Sequence, residues 1–123
     1  MSDAIAAYFW AGCAAGELRY QRCAACGRVQ FYPRSFCAGC GGEPLWEVSA
    51  RRGTVYSATT VGRLPTPEFA ALAPYDIVLV DLDEGFRMMA HAEPGLGIGA
   101  RVRIGFRRLG ERMLPHAERE ALG

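Results

Sequence analysis

The stretch Cys23–Gly42, "CAACGRVQFYPRSFCAGCGG", contains two CxxC pairs separated by ten residues. A glycine follows each pair, at Gly27 and Gly41. Glycine adopts a positive φ at little cost, which lets neighbouring amides point at the cysteine sulfur atoms. Zinc in structural sites is held by four such ligands at the corners of a tetrahedron. We therefore predict one structural zinc ion, bound by Cys23, Cys26, Cys37 and Cys40.

Three other uses of paired cysteines compete with zinc binding. Disulfides are disfavoured in a cytoplasmic chain, and a redox-active CxxC needs a helix start in a βαβ context that this sequence does not show. Iron in a rubredoxin-like site uses the same four ligands, so the spacing leaves iron open as the less favoured metal. Four thiolates fill the coordination sphere and leave no position for a catalytic water. The pattern therefore indicates a structural staple and not a reaction centre.

Composition limits the classes of function. The 123 residues carry a formal net charge of +1, and 50% of them are hydrophobic. All 14 basic residues are arginine, which excludes chemistry that depends on a lysine amine. The N-terminal apolar run has no basic region before it, and no apolar run reaches the roughly 18 residues that a membrane span needs. We therefore expect a cytoplasmic protein with no membrane association.

No residue is predicted to be catalytic. Cys13 lies on the apolar face of a predicted helix, where a buried hydrophobic role is far more common than a nucleophilic one. His91 ends a strand pattern and His116 lies in a polar tail, and neither belongs to a recognisable motif. The carboxylates between Asp76 and Glu84 cluster around a predicted hairpin, which turn chemistry and solvation explain. An enzyme that works alone is therefore not indicated.

The patterning divides the chain into three segments: residues 1–17, 18–44 and 45–123. In the first segment, Ile5, Phe9 and Cys13 recur at the spacing of one helix face, and Gly16 is a typical helix stop. The second segment is the loop-rich module that contains the two CxxC pairs. The third segment is rich in strand patterns. The predicted organisation is an N-terminal helix, a zinc ribbon and a β-domain.

The third segment is predicted to form a five-stranded barrel, so that the fold class is mainly β. Asp83–Gly85 predicts a hairpin turn, and the proline-rich stretch Pro65–Tyr75 predicts one or two helical turns. Five strands in so few residues favour a small closed barrel, such as an OB-fold, over an open sheet with exposed edges. The predicted strands are Trp46–Val48, Gly53–Arg63, Tyr75–Leu82, Phe86–Ala92 and Ala100–Arg108.

Four stretches carry a family resemblance: "LRYQRCAACGRVQFYPRSFCAGC", "GTVYSATTV", "APYDIVLVDLDEGFRMMAHA" and "IGARVRIGF". From Phe9 to Phe106 the chain resembles the acyl-CoA-associated family in which a rubredoxin-like zinc ribbon precedes an OB-fold. The aromatic-proline-arginine step before the third cysteine and the "DEGFR" hairpin are the specific parts of the match. Where this family has two prolines before the arginine, the chain has Tyr32 and Pro33.

The resemblance implies a non-catalytic accessory subunit. Members of this family are similar to proteins that associate with thiolase-like enzymes, aldolases or acyl-CoA hydratases in hetero-oligomers and help to hold the coenzyme A part of the substrate. The four cysteines carry over as zinc ligands. The resemblance therefore implies an acyl-CoA ligand and a catalytic partner protein.

Arginine and aromatic residues in the ribbon give a physical basis for coenzyme A binding. Phosphates need cations and the nucleotide base needs a stacking surface, and arginine suits bidentate phosphate contacts. We expect the coenzyme A contacts at Arg28, Phe31 and Arg34. An equally simple interpretation is that these arginines only solvate a small module.

A second class of function rests on the barrel. Arg101, Arg103 and Arg107 follow one predicted strand, and OB-folds use such arginines to track a nucleic-acid backbone. Two observations make nucleic acid the less favoured partner: the net charge is near zero, and aromatic residues do not interleave with this stripe. Single-stranded nucleic-acid binding is therefore the alternative function.

Overall fold

The computed structural model describes residues 3–61 and 75–120 of the chain. This part contains one α-helix and eight β-strands. In chain order they are α1 (Asp3–Ala14), β1 (Arg19–Cys23), β2 (Val29–Gln30), β3 (Pro44–Val48), β4 (Arg52–Val61), β5 (Tyr75–Leu82), β6 (Arg87–Ala92), β7 (Arg101–Leu109) and β8 (Arg112–Arg119). The predicted class, mainly β with an N-terminal helix, is confirmed. The described helix has neither the length nor the apolar character that crossing a membrane needs.

Helix α1 ends where the sequence predicts a stop. Gly16 has a φ of 80°, and the amide of Glu17 donates to the carbonyl of Gly12 at 2.8 Å. This arrangement is the cap that a glycine stop produces. Phe9 and Cys13, two residues of the predicted apolar face, are buried. The helix therefore packs on the rest of the chain as its pattern predicts.

The cysteine module is built on a three-stranded antiparallel sheet in the order β2-β1-β3. One predicted strand is therefore in the wrong sheet: Trp46–Val48 was expected in the barrel, but β3 pairs with β1 from Pro44 to Val48. The chain changes direction after β3, where the amide of Ser49 donates to the carbonyl of Leu18 at 2.9 Å and Arg51 has a φ of 65°. The domain boundary between residues 44 and 45 stays a prediction.

The remaining five strands form a closed barrel in the order β4-β5-β6-β8-β7, as expected for an OB-fold. Antiparallel pairing of β4 with β7 closes it, and β6 pairs with β8 in parallel. The fifth strand is β8, whose residues the sequence analysis assigned to a polar tail, and that assignment was wrong. A proline disfavours a strand assignment, and Pro115 lies in the middle of this segment. Charged residues at both ends of β8 also make the segment look polar, although its three consecutive residues Pro115, His116 and Ala117 are buried.

Apolar side chains fill the barrel. Its fully buried members alternate along the strands, as the two-residue period of a strand requires: Val55, Val78, Val80, Met88, Val102 and Ile104. A Cβ at Gly53 would lie only 2.4 Å from the carbonyl oxygen of Asp81, so glycine allows β4 and β5 to approach there. The buried residues of the barrel, β1 and α1 belong to a single cluster.

Several predicted details of the barrel are confirmed. The hairpin at Asp83–Gly85 joins β5 to β6, with Gly85 at a φ of 105° and its amide donating to the carbonyl of Leu82 at 2.9 Å. Met88 and Met89 lie on opposite faces of β6: Met88 is buried, whereas Met89 is 57% exposed. The helical turns predicted for Pro65–Tyr75 fall outside the described residues, apart from Tyr75, which begins β5.

Candidate metal centre and arginine hollow

The four cysteines of the two CxxC pairs come together at one end of the ribbon sheet. All four Sγ atoms lie within 4.8 Å of one another. The Sγ atoms of Cys23 and Cys40 are 3.5 Å apart, and those of Cys26 and Cys37 are 3.7 Å apart. Four sulfur atoms at about 2.3 Å from a tetrahedral zinc ion would be about 3.8 Å apart. The geometry therefore fits a tetrahedral metal site.

Each CxxC pair folds into the same tight turn. The amide of Gly27 donates to the carbonyl of Cys23 at 3.0 Å, and the amide of Gly41 donates to that of Cys37 at 2.9 Å. Both glycines have a positive φ, of 77° and 78°, as the sequence predicts. Amides within the turns point at the sulfur atoms: that of Ala25 lies 3.3 Å from the Sγ of Cys23. Such amides favour the thiolate that a metal requires.

Gly42 makes room for the sulfur atoms. A Cβ at this position would lie 2.9 Å from the Sγ of Cys23 and 3.3 Å from the Sγ of Cys40. The carbonyl of Gly42 accepts a hydrogen bond from the amide of Cys37 at 2.8 Å. Glycine is therefore required at position 42, next to the four sulfur atoms.

The closely spaced thiols of the four cysteines favour a bound cation. Amides of Cys40 and Gly39 lower the pKa of the Cys37 thiol to about 6. The amide of Gly42 also lowers the pKa of Cys40, but hydrogen bonds with the sulfur atoms of Cys23 and Cys26, together with burial, raise it to about 12. Sulfur atoms this close cannot all be negative without a positive charge between them.

Two glutamines hold the loop between the CxxC turns, a feature that the sequence analysis missed. Gln21 is only 2% exposed. Its Oε1 accepts from the Nε2 of Gln30 at 2.7 Å and from the amide of Arg34 at 2.9 Å, and its Nε2 donates to the carbonyl of Arg34 at 3.0 Å. Gln30 in turn accepts from the amide of Ala38 at 3.1 Å. This glutamine pair fixes the backbone of Arg34.

Arg28, Phe31 and Arg34, the predicted ligand contacts, line one shallow hollow where the ribbon meets the barrel hairpin. The hollow has a volume of about 290 Å³. We call it the arginine hollow and define it by Arg28, Phe31, Tyr32, Arg34, Phe86 and Arg87. Arg28 lies over Gly39, where a Cβ would be 2.9 Å from its Nη1 atom. The three predicted contact residues therefore lie on one surface, together with hairpin residues that are distant in the sequence.

Two arginines of this hollow have no acidic partner among the side chains that the structure describes. No described carboxylate forms an ion pair with Arg28 or Arg34. Arg87 differs, because its guanidinium binds Asp81 at 2.6 and 3.2 Å and lies 3.5 Å from the centre of the Tyr56 ring. This pairing lowers the pKa of the Asp81 carboxyl. The hollow therefore has two uncompensated cations and one compensated cation.

Phe31 belongs to a column of aromatic rings that joins the three parts of the chain. Its ring stacks on Phe86 of the hairpin at 5.1 Å and makes a T-shaped contact with Phe9 of α1 at 5.4 Å. Phe86 in turn stacks on Tyr20 of β1 at 4.9 Å. Phe31 therefore has at least one face occupied, whereas the neighbouring Tyr32 is 66% exposed. Tyr32 offers more free ring surface to a ligand.

Sequence reasoning did not identify Arg87 as part of the hollow. Arg87 was noted only as part of the "DEGFR" hairpin. The signal for Arg87 is three-dimensional: Phe86 stacks on Phe31 and Tyr20, which brings the start of β6 against the ribbon. Nothing in the spacing of the strands indicates which hairpin faces the cysteine module.

The arginines of β7 are partly compensated. Arg101 binds Asp83 through two hydrogen bonds of 2.9 Å, which raises its pKa. Arg107 contacts the Nε2 atom of His116 at 3.4 Å. Arg103 is exposed, and no described carboxylate pairs with it. The stripe predicted for nucleic acid therefore offers less free charge than the sequence suggests.

The fifth cysteine and the two histidines lie in or beside the core. Cys13 is buried, and burial raises the pKa of its thiol to about 11. His116 is 6% exposed and lies beside His91, its partner residue in the parallel pairing of β6 and β8. Burial lowers the pKa of both histidines. Cys13 thus behaves as the buried hydrophobe that the sequence predicts.

Family comparisons agree with this architecture. Residues 10–45 match the family described as the ChsH2 rubredoxin-like zinc ribbon domain, and residues 46–107 match the ChsH2 C-terminal OB-fold domain. A DUF35 domain-containing scaffold protein of Methanothermobacter thermautotrophicus is 32% identical over 101 residues, which cover 77% of this chain and 75% of the relative. Its counterpart in Methanocaldococcus jannaschii is 33% identical, with coverage of 73% and 67%.

A probable enoyl-CoA hydratase alpha subunit of Thermomonospora curvata is 36% identical over 77 residues; these are 61% of this chain but only 23% of that larger protein. Among solved structures, a chain of the Ltp2-ChsH2(DUF35) aldolase superposes with a TM-score of 0.83 at 28% identity and covers 96% of both chains. A DUF35 protein of unknown function from Sulfolobus solfataricus, 17% identical with a TM-score of 0.68 and covering 97% of this chain and 87% of its own, shares the fold. The chain therefore belongs to the DUF35 family, in which a ChsH2-type rubredoxin-like zinc ribbon is followed by an OB-fold domain.

Proposed function

We propose that the chain is a non-catalytic accessory subunit of an acyl-CoA-processing enzyme. In this role it scaffolds a complex with a thiolase-like, aldolase or hydratase subunit and holds the coenzyme A part of the substrate. Arg28 and Arg34 bind phosphate groups, and Phe31 with Tyr32 lies against the nucleotide base. The complex is a cytoplasmic hetero-oligomer.

One observation carries the ligand assignment. Arg28 and Arg34 lie on one hollow, with an exposed tyrosine between them in the chain, and no described carboxylate pairs with either arginine. Other arginines of the surface are paired, as Arg22 is with Glu47 and Arg101 is with Asp83, although Arg103 has no described acidic partner either. Unpaired guanidinium groups beside an aromatic ring suit phosphates and a base.

The comparisons support the accessory role. Two relatives are named scaffold proteins, one is named an enoyl-CoA hydratase alpha subunit, and the ChsH2 chain with the similar fold is named together with Ltp2 in an aldolase. All five cysteines are free thiols in the described structure, which suits a reducing cytoplasm. These names support an accessory role for this chain.

Zinc is the metal proposed for the four cysteines, with iron as the less favoured candidate. A closed tetrathiolate site supplies folding energy and no reaction step. The residues that hold the ion are Cys23, Cys26, Cys37 and Cys40. Metal analysis of the purified protein separates the two metals: one zinc per chain supports the proposal, and a coloured protein with one iron per chain would replace zinc by iron.

Calorimetric titration with coenzyme A tests the ligand site. Removing both charges in Arg28→Ala/Arg34→Ala should weaken binding by about hundredfold or more, because each of the two charge-assisted hydrogen bonds contributes about 1.5–3 kcal/mol. The matched control is Arg103→Ala/Arg108→Ala, which removes two exposed charges from β7 and should leave the affinity unchanged. Equal affinity for the wild type and the ribbon variant would show that the placement is wrong.

Activity measurements test the accessory role. The purified chain should turn over no acyl-CoA alone, and a tagged chain in its native cell should retain a thiolase, aldolase or hydratase whose activity falls when the chain is removed. Turnover by the chain alone would show that the protein is itself an enzyme.

Nucleic-acid binding is the second candidate, favoured by the exposed Arg103 and Arg108 of β7. It predicts that single-stranded DNA binds at low salt, that the affinity falls steeply as salt rises, and that Arg103→Ala/Arg108→Ala weakens it. Absence of binding at low salt would eliminate this candidate.

A further inference from the structure

An apolar groove adjoins the arginine hollow. It lies between α1, the loop after β2 and strands β6 and β8 of the barrel, and it has a volume of about 300 Å³. Its walls are formed mainly by Ala6, Phe9, Trp10, Phe31, Tyr32 and Met89. Its remaining lining residues are a second methionine and two prolines, so none of the lining side chains carries a charge. We call this feature the apolar groove.

Rigid and flexible residues share the walls. Phe9 meets Trp10 edge-on at 5.0 Å and Phe31 edge-on at 5.4 Å, which fixes one side. Met89 is 57% exposed although it is a large apolar residue. Methionine has three rotatable bonds and a polarizable sulfur, so it adapts to apolar ligands of different shape. The groove therefore combines a preformed aromatic wall with an adjustable one.

The groove and the arginine hollow share Phe31 and Tyr32. On one side of this pair lie the cations of Arg28 and Arg34, with which no described carboxylate pairs. On the other side lies a groove whose lining side chains carry no charge, although the guanidinium of Arg112 lies over the Trp10 ring at 4.6 Å. Such a bipolar surface complements a ligand with phosphates at one end and an apolar group at the other. A volume of about 300 Å³ is at the lower end of the range for small-molecule pockets.

We propose that the apolar groove binds the acyl chain of the acyl-CoA whose phosphates occupy the arginine hollow. The inference rests on the proposed function and adds the class of acyl group: an unbranched or lightly substituted chain of medium length, with the pantetheine arm crossing Phe31 and Tyr32. The groove then contributes to the selection of the substrate as well as to its affinity.

A chain-length series tests the groove. Titrations of the full chain with coenzyme A, acetyl-CoA and decanoyl-CoA should give similar affinities for the first two and a gain of about tenfold or more for the third. Burying one methylene contributes about 0.8 kcal/mol, or about fourfold in affinity, so even partial burial of the chain exceeds this gain. Equal affinities for acetyl-CoA and decanoyl-CoA would overturn the inference.

Trp10 reports whether the chain enters the groove. The sequence contains two tryptophans, and Trp46→Phe leaves Trp10 as the only one. A decanoyl-CoA that carries bromine at the chain end should quench the fluorescence of Trp10. Unchanged fluorescence at saturating ligand would overturn the inference even if the longer chain bound more tightly.

A pair of helix variants gives the matched control. Ala6→Phe fills the groove, whereas Ala7→Phe places the same side chain at an exposed position of α1. The gain for decanoyl-CoA should disappear in Ala6→Phe and persist in Ala7→Phe, while the affinity for coenzyme A stays the same in both. A gain that persists in Ala6→Phe would place the acyl chain elsewhere.

Decanoyl-pantetheine, which has no nucleotide, separates the two proposals. Suppose that chain-end-brominated decanoyl-pantetheine quenches Trp10 but the charge variants of Arg28 and Arg34 do not change acyl-CoA binding; the groove inference is then supported and the coenzyme A placement is wrong. If instead coenzyme A binds through the arginines but neither decanoyl ligand quenches Trp10, the coenzyme A placement is supported and the groove inference is wrong. Protection of Trp10 by a protein partner, with no response to either decanoyl ligand, would make the groove a protein-docking surface and overturn the inference.

Discussion

The ribbon and the barrel of this chain are stabilised in different ways. The barrel has strands of six to ten residues, and a buried apolar core that includes Val80, Val102 and Ile104 fills it. Strands of the ribbon sheet have only two to five residues, and the ribbon contains four cysteines and a glutamine pair of which Gln21 is buried. Hydrophobic burial suffices for the barrel, whereas a module as small as the ribbon depends on its metal.

The ribbon carries the residues that we propose to bind coenzyme A. The residues proposed to bind coenzyme A lie in or beside the loop between the two CxxC turns, which depends on the metal and on Gln21. The barrel contributes the hairpin residue Phe86, whose ring stacks on Phe31. A stable barrel thus supports a ribbon that carries the contacts. The predictions below test this division of roles.

The largest effect is expected from removing a metal ligand. Cys37→Ser should abolish metal binding and unfold the ribbon, because metal binding supplies on the order of 10 kcal/mol to modules of this kind. Amide hydrogen exchange should show lost protection in β1–β3 and retained protection in β4–β8. The control Cys13→Ala removes a buried cysteine of α1 and should keep one metal per chain. Full protection of the ribbon in Cys37→Ser would contradict the dependence on metal.

A cavity in the barrel should have the next largest effect. Ile104 is fully buried in β7, and Ile→Ala in a core costs about 2–5 kcal/mol. Urea denaturation should show this loss in the unfolding of the whole chain, whereas the folded protein keeps its metal. A loss below about 1 kcal/mol would mean that the barrel core is not the main source of stability.

Gln21→Ala should affect the ribbon loop. The change removes the Gln21 partner of the Arg34 amide and carbonyl and one of the hydrogen bonds of Gln30, which costs about 1–3 kcal/mol. The affinity for coenzyme A should fall while the metal content stays at one per chain. Glu43→Ala, an exposed change in the same module, is the control. Unchanged affinity in Gln21→Ala would show that the glutamine pair does not position Arg34.

The smallest effect concerns pH and the seam between β6 and β8. Burial, followed by the charge of Arg107, lowers the pKa of His116, although Glu118 and Glu93 oppose this. Unfolding therefore takes up protons below about pH 6.5, and the free energy of unfolding falls as the pH drops through that value, by at most about 1.4 kcal/mol per pH unit.

His116→Gln should flatten this pH dependence between about pH 6.5 and 5 relative to the wild type. Denaturation midpoints measured across this range give the comparison, and His91→Gln tests the neighbouring ring in the same way. An identical slope in the wild type and both variants would show that these histidines do not contribute.

Sequence reasoning identified what depends on spacing. The cysteine spacing predicted the clustering of the four sulfur atoms, because the positive φ of Gly27 and Gly41 is a local property. Periodicity predicted α1, β4, β5, β6 and β7, whose buried residues alternate or recur at the expected intervals. The closed five-stranded barrel was predicted, but the predicted five strands included Trp46–Val48 of the ribbon sheet and lacked β8.

Sequence reasoning failed where the partner of a segment decides its structure. Trp46–Val48 reads as a strand in either sheet, and only its pairing with β1 assigns it to the ribbon. Pro115 hid β8, although β7 pairs with that strand along its length. The role of Phe86 depends on a hairpin meeting the ribbon, and the glutamine pair depends on the register of β1 and β2. These are three-dimensional relations that no local pattern encodes.

The most direct test of the account is the affinity for coenzyme A measured while the metal is removed. In a titration with a chelator, the account predicts that coenzyme A binding is lost in step with the metal, that the β-sheet signal of the barrel persists, and that adding zinc back restores binding. If the metal-free protein bound coenzyme A as tightly as the metal-bound protein, the ribbon would not hold the ligand site, and the central claim would be wrong.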